Sequence, residues 1–285
     1  MSNEEQIAYW NGDAGHRWAQ KDDMMSAMLQ PIAVDLLQHA DLGACRRVLD
    51  VGCGGGSETL MLASALHDGA SVVGVDVSTP LLTVAQARLA ASPPAQRKIE
   101  FIEADAATHA FADGAFDGLF SRFGVMFFDD PVTAFANLGR ALQTGAPIAF
   151  SCWQALKHNP WVAVPLAAAL QHVPAPEPPE PGAPGPFAFA DSDRVRSILE
   201  AAGFSAVRIA HHAVQMCWTR GQDLQTSTRE LVNIGPVGRL LTDADETTRD
   251  RVYDECIQAL APYYRDHRLC LPGAVWFVTA HAGQG

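Results

Sequence analysis

Short apolar segments alternate with segments of helical periodicity through the middle of the chain. The apolar segments, rich in Val, Ile and Phe, are 47–51, 72–77, 99–103, 116–121 and 147–153. Helical spacing of apolar residues covers the stretches 57–67, 79–91 and 131–143. Strands that are apolar throughout are buried on both faces, and their alternation with helices is typical of parallel βαβ units. The pattern therefore predicts an α/β fold with a doubly wound sheet, which binds ligands at the carboxyl ends of its strands.

We expect four segments along the chain. They are an N-terminal helical segment at 1–44, the core at 45–155, a helix with a proline-rich excursion at 156–190, and the rest of the sheet at 191–285. Helical spacing from Met25 supports the first segment, and the seven of 18 prolines within 174–186 support the third. In the last segment, strands at 205–217 and 274–280 are separated by a mostly helical block at 222–266. Because neighbouring strands normally need a far shorter connection, this block predicts a helical insertion before the last of seven strands.

Composition and charge narrow the class of protein. The chain has 285 residues, 48% of them apolar and 18% charged, which is typical of a folded globular protein. Lys and Arg number 20 against 32 Asp and Glu, and the net charge of -12 disfavours nucleic acid and anionic membranes as partners. The longest apolar run, 161–170, is too short to span a bilayer, and Glu4 and Glu5 stand where a signal peptide needs basic residues. We therefore expect a cytoplasmic protein, with a homodimer as the candidate assembly.

The cysteines predict neither a metal site nor a disulfide-rich scaffold. The six of them lie at positions 45, 53, 152, 217, 256 and 270, without a CxxC pair or a cluster with His. Such dispersed cysteines are usually reduced and buried, so we expect free thiols and no metal.

One glycine-rich motif carries the candidate chemistry. The strand ending at Val51 is part of D-x-G-x-G-x-G, which begins at Asp50 and has glycines at 52, 54 and 56 before a helical segment. Glycines let the backbone turn tightly and let a ligand approach it, and a helix that begins beside them directs free N–H groups at the same space. A dinucleotide fingerprint would place its third glycine at Ser57, so the motif differs from that of nicotinamide enzymes.

Carboxylates follow the next two strands. The second strand ends at Asp76, where an acidic residue can accept both hydroxyls of a ribose. The third is followed by Asp105, at a position where the edge of a base can lie. The sequence therefore predicts a site for a ligand that contains a ribose and a base.

In this order, the motif from Asp50 to Gly56, Asp76, and the pair Asp105-Ala106 resemble the class I S-adenosylmethionine-dependent methyltransferases. The chain is most similar to the small-molecule methyltransferases of the quinone-biosynthesis type. The resemblance is strong over 45–155 and looser toward the C-terminus. It implies a mostly parallel, seven-stranded Rossmann-like sheet, with S-adenosylmethionine as cofactor and S-adenosylhomocysteine as product.

The resemblance also implies roles for individual residues. The loop glycines and Asp50 would hold the methionine part of the cofactor, Asp76 the ribose and Asp105 the adenine amino group. The residues that would contact the cofactor are Trp18, Asp50, Gly52, Cys53, Gly54, Asp76, Val77, Asp105, Ala106, Ser121 and Phe123. Arg122 would bind the cofactor carboxylate, a substrate anion or a neighbouring acid.

The N-terminal aromatic residues resemble a segment that folds over the cofactor in related small-molecule enzymes. Tyr9 and Trp10 would contact the substrate there, and closure would exclude water from the reacting cation. The alternative is a terminal helix that only packs on the sheet.

A general base is needed only when the acceptor must lose a proton. His158, which follows the fifth strand, is the best-placed candidate, and His16 in the N-terminal segment is the next. Any single histidine is more often a surface or core residue than a catalytic one.

The function that the sequence predicts is methyl transfer to a small, hydrophobic or aromatic acceptor through oxygen, nitrogen or carbon. Enzymes that methylate nucleic-acid bases carry [DN]-P-P-[YFW] after the fourth strand, where this chain has Ser121-Arg122-Phe123-Gly124. Apolar residues of the insertion either line the acceptor pocket or bury the insertion itself; they are Leu231, Val232, Ile234, Leu240 and Leu241. The alternatives are an NAD(P)-linked oxidoreductase and a catalytically silent cofactor-binding protein.

Overall fold

The computed structural model describes residues 3–92, 97–178, 180, 182–218 and 221–283. The strands are β1 Arg47–Val51, β2 Ser71–Asp76, β3 Lys98–Glu103, β4 Gly118–Arg122, β5 Pro147–Trp153, β6 Ser205–Cys217, β7 Tyr264–Arg265 and β8 Arg268–His281. The helices are α1 Asn3–Asn11, α2 Asp13–Gln20, α3 Asp22–His39, α4 Ser57–Ala65, α5 Thr79–Ala91, α6 Pro131–Ala141, α7 Pro160–Ala169, α8 Ser192–Ala201, α9 Leu224–Ile234, α10 Pro236–Leu240 and α11 Glu246–Leu260. These elements form two compact units.

The first unit, 1–153 with 182–211 and 276–285, contains the sheet that the sequence predicts. The strand order is β3-β2-β1-β4-β5-β8-β6, and β1 to β5 pair in parallel. The predicted α/β fold with a doubly wound, mostly parallel sheet is confirmed. Since β2 and β3 lie on one side of β1 and β4 and β5 on the other, the strand order reverses between β1 and β4. Ligands of such sheets bind in the crevice outside the carboxyl ends of the strands at this point.

Local sequence signals set the ends of several helices. Ser78 accepts a hydrogen bond from the Leu81 N–H at the start of α5, and Asp130 does the same for Thr133 at the start of α6. Both helices have proline in the first turn, where no N–H is needed. The two helices therefore begin at the predicted positions.

The sequence located two elements less completely than the others. Within the expected N-terminal helical segment, the residues before Met25 form two helices, α1 and α2, although their apolar residues show no helical spacing. The last strand starts at Arg268, six residues before the predicted 274, because it also pairs with β7 through Leu269 and Tyr264.

The second unit, 154–181 with 212–275, has a small core of its own. The core combines residues of α7, α9, α10 and α11: Ala168, Ala169, Val232, Val237, Leu241, Val252 and Cys256. Of the apolar residues predicted for the insertion, Leu231, Val232 and Leu241 are buried. This burial favours the second of the two expected roles, in which they stabilise the insertion itself.

Two of the six cysteines are oxidised. Cys217 and Cys270 form a disulfide whose Cα atoms lie 4.1 Å apart. The expectation of reduced thiols is therefore wrong for this pair, because a separation of 53 residues gave no sign that the two positions are neighbours. The other four cysteines are free and buried, as predicted.

Among the helices formed by the described residues, none has an apolar stretch long enough to cross a bilayer.

Candidate active site

The glycine loop between β1 and α4 forms an open cradle. Gly52, Gly54 and Gly56 all have positive φ, at 69°, 51° and 77°. A Cβ added to Gly54 would meet no atom within 4 Å, so the backbone at this position faces open space. A side chain there would be strained and would occupy this space. The loop therefore offers bare backbone to a ligand at the carboxyl end of β1.

The loops that follow β1 and β4 touch at the point where the strand order reverses. A Cβ on Gly52 would lie 2.6 Å from the Gly124 Cα, and one on Gly124 would lie 2.4 Å from the Val51 oxygen. Ser121 joins the same two loops, since its hydroxyl donates to the Val51 oxygen at 2.7 Å and accepts from the Gly124 N–H at 3.2 Å. Ser121 is fully buried, and its hydroxyl makes hydrogen bonds with the backbone in this structure.

Asp76 is held by the glycine loop itself. Its Oδ2 accepts from the Gly54 N–H and its Oδ1 from the Ser78 N–H, each at 2.8 Å. Each carboxylate oxygen keeps a free lone pair, so two neighbouring hydroxyls can donate to them. Burial raises the pKa of Asp76, although the N–H donors of Ser78 and Gly54 act in the opposite direction. The arrangement fits the ribose diol that the sequence predicts.

Asp50 lies beneath the loop, with an exposed fraction of 1%. The Thr59 hydroxyl donates to its Oδ2 at 2.6 Å. Burial, followed by repulsion from Glu58 and Asp76, raises the pKa of Asp50 to about 7, despite the Thr59 hydrogen bond and the positive charge of Arg122. A cation bound above the loop would stabilise the ionised form of Asp50.

Arg122 pairs with an acid of the first turn of α4. Its Nη1 lies 2.5 Å from Glu58 Oε1, and the two side chains are 14% and 9% exposed. The buried Nε of Arg122 has no hydrogen-bond partner among the described residues. An unpartnered buried donor is costly, so a carboxylate or another anion can be accommodated here. Of the roles expected for Arg122, the pair with a neighbouring acid is present, and the binding of an anion stays a prediction.

Asp105 follows β3 and accepts several hydrogen bonds. Its donors are the Ala107 N–H at 2.9 Å, the Thr108 hydroxyl at 2.8 Å and the Asn3 amide at 2.5 Å. A carboxylate accepts about four hydrogen bonds, so one acceptor position is left for the predicted adenine amino group. Ala106, predicted to meet the adenine ring, is buried.

Phe123 has a left-handed backbone, with φ of 67°, directly after β4. Its ring stacks on Trp153, with centroids 4.5 Å apart and planes 5° from parallel. Positive φ is uncommon for a bulky residue, and such strain is often found at functional sites. Both rings are nearly buried, so in this structure Phe123 packs in the core. Cys53, from the glycine loop, is buried as well.

The N-terminal helices dock on the segment that follows Asp76. The Asn11 amide donates to the Val77 oxygen at 2.8 Å and its oxygen accepts from the Thr79 N–H at 2.9 Å. Between them, the Ser78 hydroxyl donates to the Trp10 oxygen at 2.8 Å. The sequence analysis did not identify Asn11 or Ser78 as site residues. The one signal was the position of Asn11, which stands between the predicted aromatic residues Trp10 and Trp18.

The predicted aromatic residues gather around Trp10. Its ring makes edge contacts with Tyr9, Trp18 and Phe127, with centroid distances between 5.4 and 5.9 Å. The structure therefore brings Tyr9, Trp10 and Trp18 together and adds Phe127, which follows β4. By contrast, the side chains of His16, on α2, and His158, in the second unit, are exposed. A catalytic role for either histidine stays a prediction.

Comparisons with known proteins identify the domain. A model of the methyltransferase domain matches residues 49–150. An O-methyltransferase of Aspergillus nomiae is 27% identical over 145 residues, which cover 51% of this chain and 60% of that protein. A demethylmenaquinone methyltransferase of Thermus thermophilus is 38% identical over 113 residues, which cover 40% of this chain and 48% of that protein. The chain thus spans about half the length of the curated relatives that it matches.

The fold is shared with a solved methyltransferase. Phosphoethanolamine N-methyltransferase 2 of Haemonchus contortus, crystallised with phosphomonomethylethanolamine and S-adenosylhomocysteine, superimposes with a TM-score of 0.59 at 16% identity. The superposition covers 97% of this chain and 59% of that one. The match to the methyltransferase domain model identifies residues 49–150 as such a domain, in agreement with the glycine loop and Asp76, and the superposition at 16% identity shows that the fold is shared.

Proposed function

We propose that this chain transfers the methyl group of S-adenosylmethionine to a small, hydrophobic or aromatic organic acceptor. The observation that carries the proposal is the contact between Asp76 and the Gly54 N–H, which places two carboxylate oxygens beside an open glycine backbone where the strand order reverses. The methyltransferase relatives support the reaction type. The acceptor is inferred from this chain alone.

The charges of the site suit a cationic donor. S-adenosylmethionine carries a sulfonium whose positive charge already activates the methyl group for in-line displacement. The buried carboxylates of Asp50 and Glu58 and that of Asp76 lie at one end of the sheet and favour a positive ligand. Asp76 would hold the ribose and Asp105 the adenine amino group. The free Nε of Arg122 would bind the carboxylate of the methionine part.

The aromatic group around Trp10 supports an apolar acceptor. Tyr9, Trp10, Trp18 and Phe127 offer ring faces and edges, and a methyl acceptor needs alignment and exclusion of water more than it needs charge. In this proposal Tyr9 and Trp10 contact the acceptor when the N-terminal helices are closed. Oxygen, nitrogen and carbon acceptors all fit this chemistry, and His158 or His16 serves as base where the acceptor carries a proton.

Calorimetry with S-adenosylhomocysteine tests the proposal directly. The wild-type protein should bind it and should show no heat with NADH, the cofactor of the alternative oxidoreductase. Asp76→Ala should weaken binding at least 10-fold, because two ribose hydroxyls lose their acceptor. Asp113→Ala is the control, since Asp113 is an exposed carboxylate that pairs with Arg140. Absence of heat with the folded wild-type protein would refute the proposed cofactor.

A turnover assay with different acceptors tests the proposed class of acceptor. Purified protein, S-adenosylmethionine and a panel of phenols, quinols, amines and carboxylic acids should give S-adenosylhomocysteine fastest with an aromatic or apolar member of the panel. Loss of that rate preference in Trp10→Ala would support the aromatic contact. A catalytically silent protein would bind the cofactor and give no product with any member.

We also propose that nucleic acid is not a partner, because a net charge of -12 repels phosphate groups. The cytoplasmic location stays an expectation, and the Cys217–Cys270 disulfide counts against it because such bonds are rare in the cytosol. A homodimer is our expectation for the assembly, because β6 lies at an edge of the sheet where a second copy can pair. Light scattering at micromolar concentration checks it, and a mass of one chain would contradict it.

A further inference from the structure

Arg88, in the last turn of α5, connects the glycine loop to the N-terminal helices. Its Nη1 donates to the Gly55 oxygen. Its Nη2 donates to Asp22 Oδ2 at 2.7 Å and to Asp23 Oδ1 at 2.6 Å. Asp22 and Asp23 are the first two residues of α3. The Arg88 guanidinium therefore binds both Gly55 of the loop and Asp22 of α3, which are 33 residues apart in sequence.

Asp22 rests directly on the loop. A Cβ added to Gly55 would lie 2.4 Å from the Asp22 carboxyl group, so only glycine permits this approach. Asp22 is buried, with an exposed fraction of 8%. Burial alone would lower the pKa of Arg88, but the hydrogen bonds and charges of Asp22 and Asp23 outweigh it and raise it. The guanidinium thus keeps its charge at the contact.

The loop needs an external support of this kind. Gly54 and Gly56 have positive φ on either side of Gly55, and glycines lose more conformational freedom on ordering than other residues. A hydrogen bond to the Gly55 oxygen fixes the peptide plane between Gly55 and Gly56. It therefore reduces the number of conformations that a ligand must select when it binds to the Gly54 backbone.

We propose that Arg88 is a positioning residue for cofactor binding, which fixes the Gly55 carbonyl and holds the start of α3 against the glycine loop. The inference rests on the proposed function. Arg88 contacts the loop at the Gly55 oxygen, so its effect on the cofactor passes through Gly55. Arginine suits this task because its planar fork can serve a carbonyl and two carboxylates together, which a lysine cannot do.

The test compares Arg88→Ala with Arg97→Ala. Arg97 is a matched control, because it is 21% exposed against 20% for Arg88, pairs with Asp68 at 3.3 Å and donates to the Leu66 oxygen. Arg97 contacts the residues that precede β2, whereas Asp76 lies at the opposite, carboxyl end of β2. For each variant, calorimetry with S-adenosylhomocysteine gives the affinity, and thermal unfolding gives the stability.

We expect Arg88→Ala to weaken S-adenosylhomocysteine binding at least 10-fold, Arg88→Lys to retain part of the affinity, and Arg97→Ala to stay within 2-fold of the wild type. A purely structural role would instead lower the unfolding temperature of both alanine variants and leave both affinities unchanged. Wild-type affinity in a folded Arg88→Ala variant would overturn the inference. Absence of binding by the wild-type protein would refute the proposed function and not this step.

Two further measurements keep the result decisive. If Arg88→Ala does not fold, Asp22→Asn removes one charged partner with little change in shape, and it should weaken binding 3-fold or more, while Asp68→Asn leaves it unchanged. Wild-type affinity in Asp22→Asn would then overturn the inference. Tryptic cleavage after Lys21 should also slow when S-adenosylhomocysteine is added to the wild type, and should slow less when it is added to Arg88→Lys. Equal protection in the two proteins would contradict the link between Arg88 and α3.

Discussion

Asp50→Asn should stabilise the protein at high pH and have a smaller effect in acid. The carboxyl is 1% exposed, and its pKa is raised from 3.8 to about 7 by burial, by Glu58 and by Asp76. A raised pKa means that the folded state holds the proton more tightly than the unfolded chain does. Stability is therefore lost as the pH rises from about 4 to about 7, and the loss levels off above that.

The size of the effect follows from the shift. A change of one pKa unit corresponds to about 1.4 kcal/mol, so an ionised Asp50 costs about 4 kcal/mol at pH 8. Part of this cost is already present at pH 5, where the unfolded carboxyl is ionised and the folded one is protonated. Between pH 5 and pH 8 the wild type should lose about 2–3 kcal/mol through this group, and Asp50→Asn should not.

Urea denaturation at both pH values measures the difference in the free energy of unfolding between wild type and variant. Subtracting the free energy of unfolding of one protein from that of the other cancels the other titrating groups, so the stabilisation by asparagine should be about 2–3 kcal/mol greater at pH 8 than at pH 5. Asp113→Asn is the matched control on the surface, where the free energy should change by less than about 1 kcal/mol at either pH. An Asp50→Asn effect that is the same at pH 5 and pH 8 would show that the buried charge does not destabilise the fold.

Two other perturbations follow from contacts in the two units. Gly124→Ala should lower the free energy of unfolding by about 1–3 kcal/mol, because its Cβ would lie 2.4 Å from the Val51 oxygen. Gly43→Ala is the control and should be nearly neutral, because a Cβ there would have no atom within 4 Å. Equal effects of the two variants in urea denaturation would contradict the contact. Reduction of Cys217–Cys270 should cost about 4 kcal/mol, from the chain entropy of a loop of 53 residues. Denaturation with and without dithiothreitol measures this, and the double serine variant should not respond to the reductant; an unchanged midpoint for the wild type would refute the expected contribution.

The sequence predicts the sheet well, because the buried parallel strands have an apolar pattern that does not depend on distant residues. The bounds of α5, β5 and β6 agree with the predicted ones. The N-terminal helices were predicted only in part, since α1 is anchored through Asn11 to the backbone at Val77 and Thr79. The local sequence of α1 could not predict a hydrogen bond between Asn11 and Val77, because the two residues are 66 positions apart.

The residues of the candidate site also fall into those that the sequence could predict and those that it could not. The glycine loop and Asp76 could be found because their chemistry requires particular residue types at the ends of strands. Arg88 could not, since an arginine in a helix is normally solvated, and its contact with Gly55 depends on how α5 packs beside the loop. The disulfide was missed for a related reason, because β6 and β8 bring its cysteines together only in the folded chain.

The contact between Gly52 and Gly124 has a practical consequence for redesign. Neither backbone can admit even a methyl group, so a mutant library that varies these two positions would consist largely of misfolded members. The rings around Trp10 contact one another through their side chains. Selections for altered acceptor preference should therefore randomise that aromatic neighbourhood and keep the paired glycines constant.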